Sequence, residues 1–227
     1  MKPPLIAIDG PAGAGKSTTS QAVARILGIP YLDTGALYRA AAWYFSKANV
    51  NIKMASAVNK QIDKCQLEFT EGVIGTRIWI DKNEITTQLR SQELTKRVGP
   101  VCELPAVREW LIGLQRVWAE RGFGVIEGRD IGTVVLPRAG LKIYLTASPE
   151  VRAGRRAIEL GINDDKQELT KLTNEIAQRD KRDSQRPESP MKPAKDAIIL
   201  DTSELTFSEQ VEKIVCLVGD RFNLKIY

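Results

Sequence analysis

The stretch Gly10-Pro11-Ala12-Gly13-Ala14-Gly15-Lys16-Ser17 constrains this chain more than any other. The apolar run Leu5-Ile6-Ala7-Ile8 precedes it and reads as a short buried strand. Ser17 to Leu27 follows, with Ala22, Val23, Ile26 and Leu27 spaced to line one helix face. Strand, glycine-rich turn and helix in that order are what a phosphate-binding P-loop requires. Glycine lets backbone N–H groups turn inward around phosphate oxygens, a path that residues with a Cβ resist. The helix N-terminus adds partial positive charge and Lys16 adds a full one. Ser17 can offer its hydroxyl to Mg²⁺. Gly10, Pro11, Ala12, Gly13, Ala14, Gly15, Lys16, Ser17 and Thr18 are therefore expected to cradle a nucleoside triphosphate.

The remaining composition narrows the chemistry by exclusion. The chain has no histidine. Ser-His-Asp triads, zinc hydrolases of the HExxH type and histidine phosphorelay all need an imidazole, so they are ruled out. Catalysis must run on carboxylates, Lys, Arg, hydroxyls and bound metal. Cys65, Cys102 and Cys216 are odd in number and far apart, which argues against a disulfide framework or zinc site and fits a reducing cytoplasm. No apolar run approaches membrane-spanning length, and the N-terminus has no signal-peptide pattern. With 43% hydrophobic and 27% charged residues in 227, a soluble globular unit is expected.

The chain alternates strands and helices. Ile29 to Leu32 reads as a second strand, ending in Asp33-Thr34-Gly35 and opening a helix from Ala36 to about Lys47. A short helix is expected over 52–64. Residues 66–86 then switch to period-2 alternation: Leu67 to Thr70, a turn at Glu71-Gly72, Thr76 to Ile80, a turn at 81–83, and Glu84 to Thr86. This is a small antiparallel meander inserted into the βαβ pattern. Helix-compatible sequence runs from Arg90 to Val98. Pro105 opens a helix with Val107, Trp110, Leu111, Leu114 and Val117 on one face. Gly122 to Ile126 is the next strand, and it runs into Glu127-Gly128-Arg129-Asp130. Charged residues at the C-terminal end of a parallel strand are where ligands meet such sheets. Leu141 to Leu145 and Ala197 to Leu200 are further strands, and Phe207 to Gly219 a closing helix.

Two arginine groups lie between those last strands. Arg152, Arg155 and Arg156 come at helical spacing. Arg179, Arg182, Asp183 and Arg186 recur every three to four residues, which puts them on one helix face. A turn is expected at 161–165. With a phosphate site already placed, a lid that delivers arginines to phosphates is the reading these groups favour.

Together these motifs resemble the bacterial-type cytidylate kinases, a family of nucleoside monophosphate kinases, over about residues 4–203. Ile8-Asp9-Gly10-Pro11 leads the P-loop as in that family. Asp33-Thr34-Gly35-Ala36-Leu37-Tyr38-Arg39 matches its Asp-Ser/Thr-Gly-Ala-x-Tyr-Arg segment. Glu127 to Val135 matches its Gly-Arg-Asp-x-Gly-Thr-Val-Val segment, and Arg179 to Arg186 its lid-side helix. The meander is similar to the family's enlarged monophosphate-binding insert.

The resemblance implies an α/β P-loop fold: a five-stranded parallel sheet flanked by helices, a small antiparallel insert and a helical lid. It implies one kinase unit, with core 1–36, 104–150 and 190–227, monophosphate-binding region 37–103 and lid 151–189. It implies transfer of a phosphoryl group from ATP to CMP or dCMP with Mg²⁺. Thr34, Tyr38, Arg39, Arg108, Arg129, Asp130, Arg179, Asp183 and Arg186 would form the CMP site. Within it Asp183 would meet the ribose hydroxyls, and Asp130 would select an amino-bearing base. Arg152 and Arg156 would join the P-loop at ATP. Lys16, Arg129, Arg156, Arg179 and Arg186 would carry the catalytic charge. Mg²⁺ would take Ser17 directly and Glu127 through water. The chain has Glu127 where the family often has Asp, Gly99 where a serine is common, and Thr146 where the strand usually ends near an Asp.

A cytoplasmic monomer acting on small molecules, without nucleic acid or membrane, is expected. The net charge of +5 is moderate, and Asp180 and Asp183 interleave the arginines. A P-loop kinase for UMP, AMP, dTMP or shikimate should lack this insert and the Gly-Arg-Asp segment. A GTPase-like switch is disfavoured because Asn59-Lys60 stands off by one from the spacing to Asp63 that guanine reading needs.

Overall fold

The structure, a computed structural model, describes residues 5–72, 75–162 and 165–224. In chain order its elements are β1 Leu5–Asp9, α1 Lys16–Leu27, β2 Tyr31–Asp33, α2 Thr34–Lys47, α3 Ala55–Ile62, β3 Leu67–Gly72, β4 Gly75–Ile80, β5 Asn83–Glu84, a 3₁₀ turn Thr86–Arg90, α4 Gln92–Cys102, α5 Pro105–Ala119, β6 Gly124–Gly128, a π-helical turn Ile131–Val135, β7 Leu141–Thr146, α6 Pro149–Leu160, α7 Lys166–Gln185, β8 Ile198–Asp201 and α8 Phe207–Phe222. The expected turn at 161–165 lies partly outside the described residues, and Glu71 and Gly72, expected in a turn, instead end β3 opposite Thr76 and Gly75.

The expected sheets both form. A five-stranded parallel sheet has the order β2-β6-β1-β7-β8, and a three-stranded antiparallel sheet the order β3-β4-β5. The chain divides into two compact units, Met1–Pro30 with Gly122–Tyr227, and Tyr31–Arg121. Pro105–Ala119 therefore falls in the second unit. Among the described residues no helix is long and apolar enough to cross a membrane.

In the first unit β1 lies between β6 and β7, with Ile8 opposite Glu127 and Asp9 opposite Gly128. Ile6, Ala7 and Ile8 are fully buried, as expected for a strand covered on both faces. Helix α1 packs against α8 and β6 and buries Thr19, Ser20, Val23 and Ala24. Ile26, expected on that face, is 49% exposed instead. The buried arc takes in Thr19, whose Oγ1 donates to Gln210 Oε1 of α8 at 3.2 Å. Helices α6 and α7 pair through Ala153, Ala157, Leu172 and Ile176. The caps follow local chemistry: Ser148 and Pro149 open α6, Gly161 closes it at φ 67°, and the Asp165 carboxylate accepts from the Gln167 and Glu168 N–H groups. Helix α7 stops at Gln185. Arg186, which the spacing put on its face, has φ −56° and ψ 136°. The following Pro187 excludes the helical region for that residue.

In the second unit α2 packs on β4 and α4. Ile78 and Ile80 are buried on one side of β4, while Arg77 and Trp79 face outward. The third strand is shorter than expected. Thr86 leaves the ladder, and its hydroxyl accepts the Ile78 N–H at 3.0 Å in place of a backbone carbonyl. Helix α4 runs past the expected end at Val98 and through Pro100 to Cys102. Leu94, Val98 and Val101 are buried on both sides of the proline, and that packing outweighs the lost N–H bond. On α5 the buried set is Val107, Arg108, Leu111, Gln115, Trp118 and Ala119. Trp110 and Leu114 are only partly buried and Val117 is 64% exposed, contrary to the apolar spacing. The face rotates because Trp118 sends its indole N–H to Glu71 Oε1 of β3 at 2.9 Å.

Candidate functional site

The P-loop leaves β1 through Gly10, at φ 147°. A Cβ there would lie 2.0 Å from the Leu145 carbonyl oxygen, so only glycine lets the loop run this close to β7. At Gly13 a Cβ would sit 3.0 Å from Arg152 Cβ, so α6 packs directly on the loop. Lys16 opens α1 and its Nζ donates to Pro11 O at 2.8 Å, across the mouth of the loop. Burial first, then the neighbouring guanidinium of Arg129, push its ammonium from the ordinary lysine range down to about 7. Glu127 and Asp9 act the other way, and Arg179 adds to the depression. Lys16 thus sits among Arg129, Arg179, Glu127 and Asp9, a cluster built to receive negative charge.

Arg129, just past the end of β6, donates to Gly10 O, and its Nε lies 3.1 Å from Asp183 Oδ2 of α7. Asp183 O in turn accepts from Met191 N at 2.8 Å and from Arg186 Nε at 3.3 Å. The guanidinium of Arg186 also reaches Ser189 O at 3.1 Å and is buried. Glu127 and Asp130 are buried at 3% and 5% exposure. Ser17 is exposed in the first turn of α1.

The arginines of α6 divide. Arg152 is buried and committed: Nε donates to Ala147 O at 2.9 Å, and Nη1 donates to Ala12 O at 3.1 Å and pairs with Asp180. It braces the loop backbone. Arg155 donates to Thr202 O at 2.6 Å. Arg156 is half-buried and pairs with Glu159 at 2.7 Å.

The second unit groups the rest of the expected residues within itself. Thr34 starts α2 and is buried, with the helix capped by Asp33, which accepts from Ala36 N at 3.1 Å. Tyr38 and Arg39 follow one turn later. The Arg108 guanidinium stands 5.7 Å from the centre of the Tyr38 ring and donates to Cys102 O at 3.4 Å, so a buried cation is held over an aromatic face.

Sequence reading missed the role of Asp9. Its carboxylate accepts Ile131 N–H at 2.8 Å and Gly132 N–H at 2.7 Å. Burial raises its pKa from 3.8 to about 6 against the pull of those two amides. The available signal was a carboxylate ending an otherwise apolar buried strand. Asp180 was also given no role. Among the described residues no cluster of three or more His, Cys, Asp or Glu could hold a metal ion alone.

Comparison with known proteins agrees with this geometry. The chain is 47% identical over 217 residues to a bifunctional pantoate ligase/cytidylate kinase of Synechococcus, covering 94% of the chain and 40% of that protein. It spans less than half the length of such two-part relatives. It is also 44% identical over 214 residues to a cytidylate kinase of Exiguobacterium sibiricum, covering 94% of the chain and 96% of that enzyme. A crystal structure of a Thermus thermophilus protein shares the fold with a TM-score of 0.52 at 16% identity, covering 98% of this chain and 99% of that one. A P-loop lysine set among arginines, a Gly-Arg-Asp turn after the adjacent strand and a match of residues 6–220 to the cytidylate kinase family model lead to one assignment: the chain belongs to the cytidylate kinase family.

Proposed function

We propose that this chain transfers the γ-phosphoryl group of ATP to the 5′-phosphate of CMP or dCMP, giving ADP and CDP or dCDP. The observation that carries the reading is the cluster at Lys16. An ammonium beside two guanidinium groups is destabilised by itself, and bound phosphate oxygens relieve it. Membership of the family and the likeness to named cytidylate kinases support CMP as the acceptor.

Lys16 and the amides of Gly10 to Thr18 hold the β- and γ-phosphates. Arg129, Arg179 and Arg186 stabilise the charge that spreads over the transferring group, and Arg156 joins them from α6. Such transfers depend mainly on positioning and electrostatics, so no covalent protein intermediate is required. Arg152 serves ATP through the loop it braces. Asp183 binds ribose hydroxyls. Asp130 accepts from the cytosine amino group, which a uracil carbonyl cannot supply. In the second unit Thr34, Tyr38, Arg39 and Arg108 bind the acceptor nucleotide.

The residues fit Mg²⁺. It takes oxygen ligands and is commonly held by one or two protein groups with substrate phosphates and water. Exposed Ser17 and buried Glu127 would supply those groups, and the ion would neutralise charge on the β- and γ-phosphates. Cys65, Cys102 and Cys216, odd in number and far apart in the sequence, support a cytoplasmic setting.

The deciding experiment measures ADP release from ATP and Mg²⁺ with CMP, dCMP, UMP, AMP and dTMP offered singly. Fast turnover with CMP and dCMP and slow turnover with UMP is expected. Release independent of acceptor would overturn the reading.

A further inference from the structure

Asp130 occupies the N-cap of the π-helical turn Ile131–Val135, with φ −145° and ψ 24°, yet its side chain makes no cap hydrogen bond. An aspartate at that position ordinarily turns its carboxylate onto the amides that follow, because the first N–H groups of a helical turn have no partner within it. Here Gly132 N–H, one of the two amides that such a carboxylate ordinarily reaches, is already taken, and so is Ile131 N–H before it. Asp9 reaches across from the end of β1, with Oδ1 accepting Ile131 N–H at 2.8 Å and Oδ2 accepting Gly132 N–H at 2.7 Å. The approach is close. A Cβ on Gly132 would lie 3.3 Å from Asp9 Oδ2 and 3.2 Å from Lys142 Cδ. The turn is also tied in the opposite direction, since Arg129 donates back to Gly10 O. Carboxylate to amides one way and guanidinium to carbonyl the other, the two ties fix the segment that carries both Arg129 and Asp130 against the start of the P-loop.

We propose that Asp9 is a positioning residue for base selection: by capping the 131–135 turn in place of Asp130, it keeps the Asp130 carboxylate directed to the acceptor base. This rests on the reading of Asp130 given above. Without both Asp9 acceptors, the bare amides compete with the ligand for the Asp130 carboxylate. Asparagine at position 9 has one acceptor oxygen, and its amide nitrogen faces an N–H donor.

The test is steady-state kinetics with CMP and with UMP at saturating ATP, on the wild type, Asp9→Asn, Asp130→Asn and the double variant. Asp9→Asn should lower the CMP/UMP ratio of kcat/KM by about tenfold, mainly through KM for CMP rather than KM for UMP. The double variant should discriminate no worse than Asp130→Asn alone, because the two act in series. A relaxed ratio in Asp130→Asn beside an unchanged one in Asp9→Asn would overturn the proposal and leave the base-reading role standing. Independent, additive losses would also overturn it. An unchanged ratio in Asp130→Asn would remove the base-reading role and the proposal with it. Should Asp9→Asn fail to fold, Gly132→Ala crowds the same carboxylate and leaves Asp9 in place; it should lower the ratio likewise, and an unchanged ratio would overturn the proposal.

Discussion

Arg129 Nε lies 3.1 Å from Asp183 Oδ2, and the two side chains are only 18% and 15% exposed. One belongs to the turn after β6 and the other to α7, so the pair joins the central sheet to that helix. A half-desolvated pair of this kind orients both groups, because each would be costly to leave alone. Arg129→Ala and Asp183→Ala should each lower kcat/KM for CMP by about 100-fold or more, and the double variant should be little worse than the poorer single. A double-variant cycle on kcat/KM checks this, and strictly multiplicative losses would mean that the two act independently.

Lys16 offers a second prediction, because its burial works against the ligand-free protein. Its folded pKa of about 7 lies below the ordinary 10.5. Between those values the unfolded chain binds more protons, so the group's contribution makes stability rise with pH across that window. ATP binding supplies negative charge and restores the ammonium, so binding above pH 7 should take up protons. Calorimetry of ATP binding at pH 8, in two buffers of different ionisation enthalpy, should report that uptake, and Lys16→Met should abolish it. Turnover of Lys16→Met should fall by about 1000-fold, equivalent to roughly 4 kcal/mol of lost transition-state stabilisation. Near-normal turnover in a folded variant would sink the P-loop assignment.

A third concerns Arg152, whose three bonds go to Ala147 O, Ala12 O and Asp180. The second Asp180 oxygen is buried without a partner among the described residues. Arg152→Ala therefore leaves a partly buried carboxylate alone, a change that costs about 3–5 kcal/mol. That corresponds to a melting temperature lower by roughly 10 °C in a chain of this size. Arg152→Lys should recover little of it, since an ammonium cannot span three acceptors from one planar fork. The loss should extend to KM for ATP, because Ala12 belongs to the loop. Thermal melting with ATP kinetics tests both parts, and a variant as stable as wild type would show that the brace contributes nothing.

What could be read from the chain beforehand depended on how local the cause was. Gly10 to Ser17 declared itself because strand, turn and helix are contiguous. The meander showed because alternation is a two-residue signal. The helix faces were read less well. Ile26 and Val117 fit the apolar spacing and are exposed, while Thr19, Arg108 and Gln115 are buried in their stead. Thr19 answers to Gln210 and Arg108 to Tyr38, partners far along the chain that periodicity within one helix cannot see. Arg186 looked like a continuation of α7 until Pro187 was considered. Asp9 stood in plain view beside the P-loop, but its two amide partners come more than 120 residues later, so its function was invisible to spacing.

Asp9 also yields the most direct pH prediction. Burial raises its pKa to about 6 from 3.8, with the Asp130 charge adding to the rise and the two amides and Lys16 opposing it. A raised acid pKa means that the folded state holds the proton more tightly than the unfolded one. Between pH 3.8 and 6 the folded chain therefore binds more protons, and stability falls as pH rises; the contribution is whole below 3.8 and gone above 6. Its size is about 3 kcal/mol, two pH units at 1.36 kcal/mol each. The protein thus keeps Asp9 ionised at neutral pH against a penalty, which makes sense only if two acceptor oxygens are needed where a protonated acid would offer fewer. Urea titrations of wild type and Asp9→Asn at pH 4, 5, 6 and 7 isolate the effect, since other groups cancel in the difference. Wild type should lose ground to the variant by about 2 kcal/mol from pH 4 to pH 7. A difference constant across that range would mean that Asp9 ionises as an ordinary carboxylate, and that the Ile131 and Gly132 amides fully offset its burial.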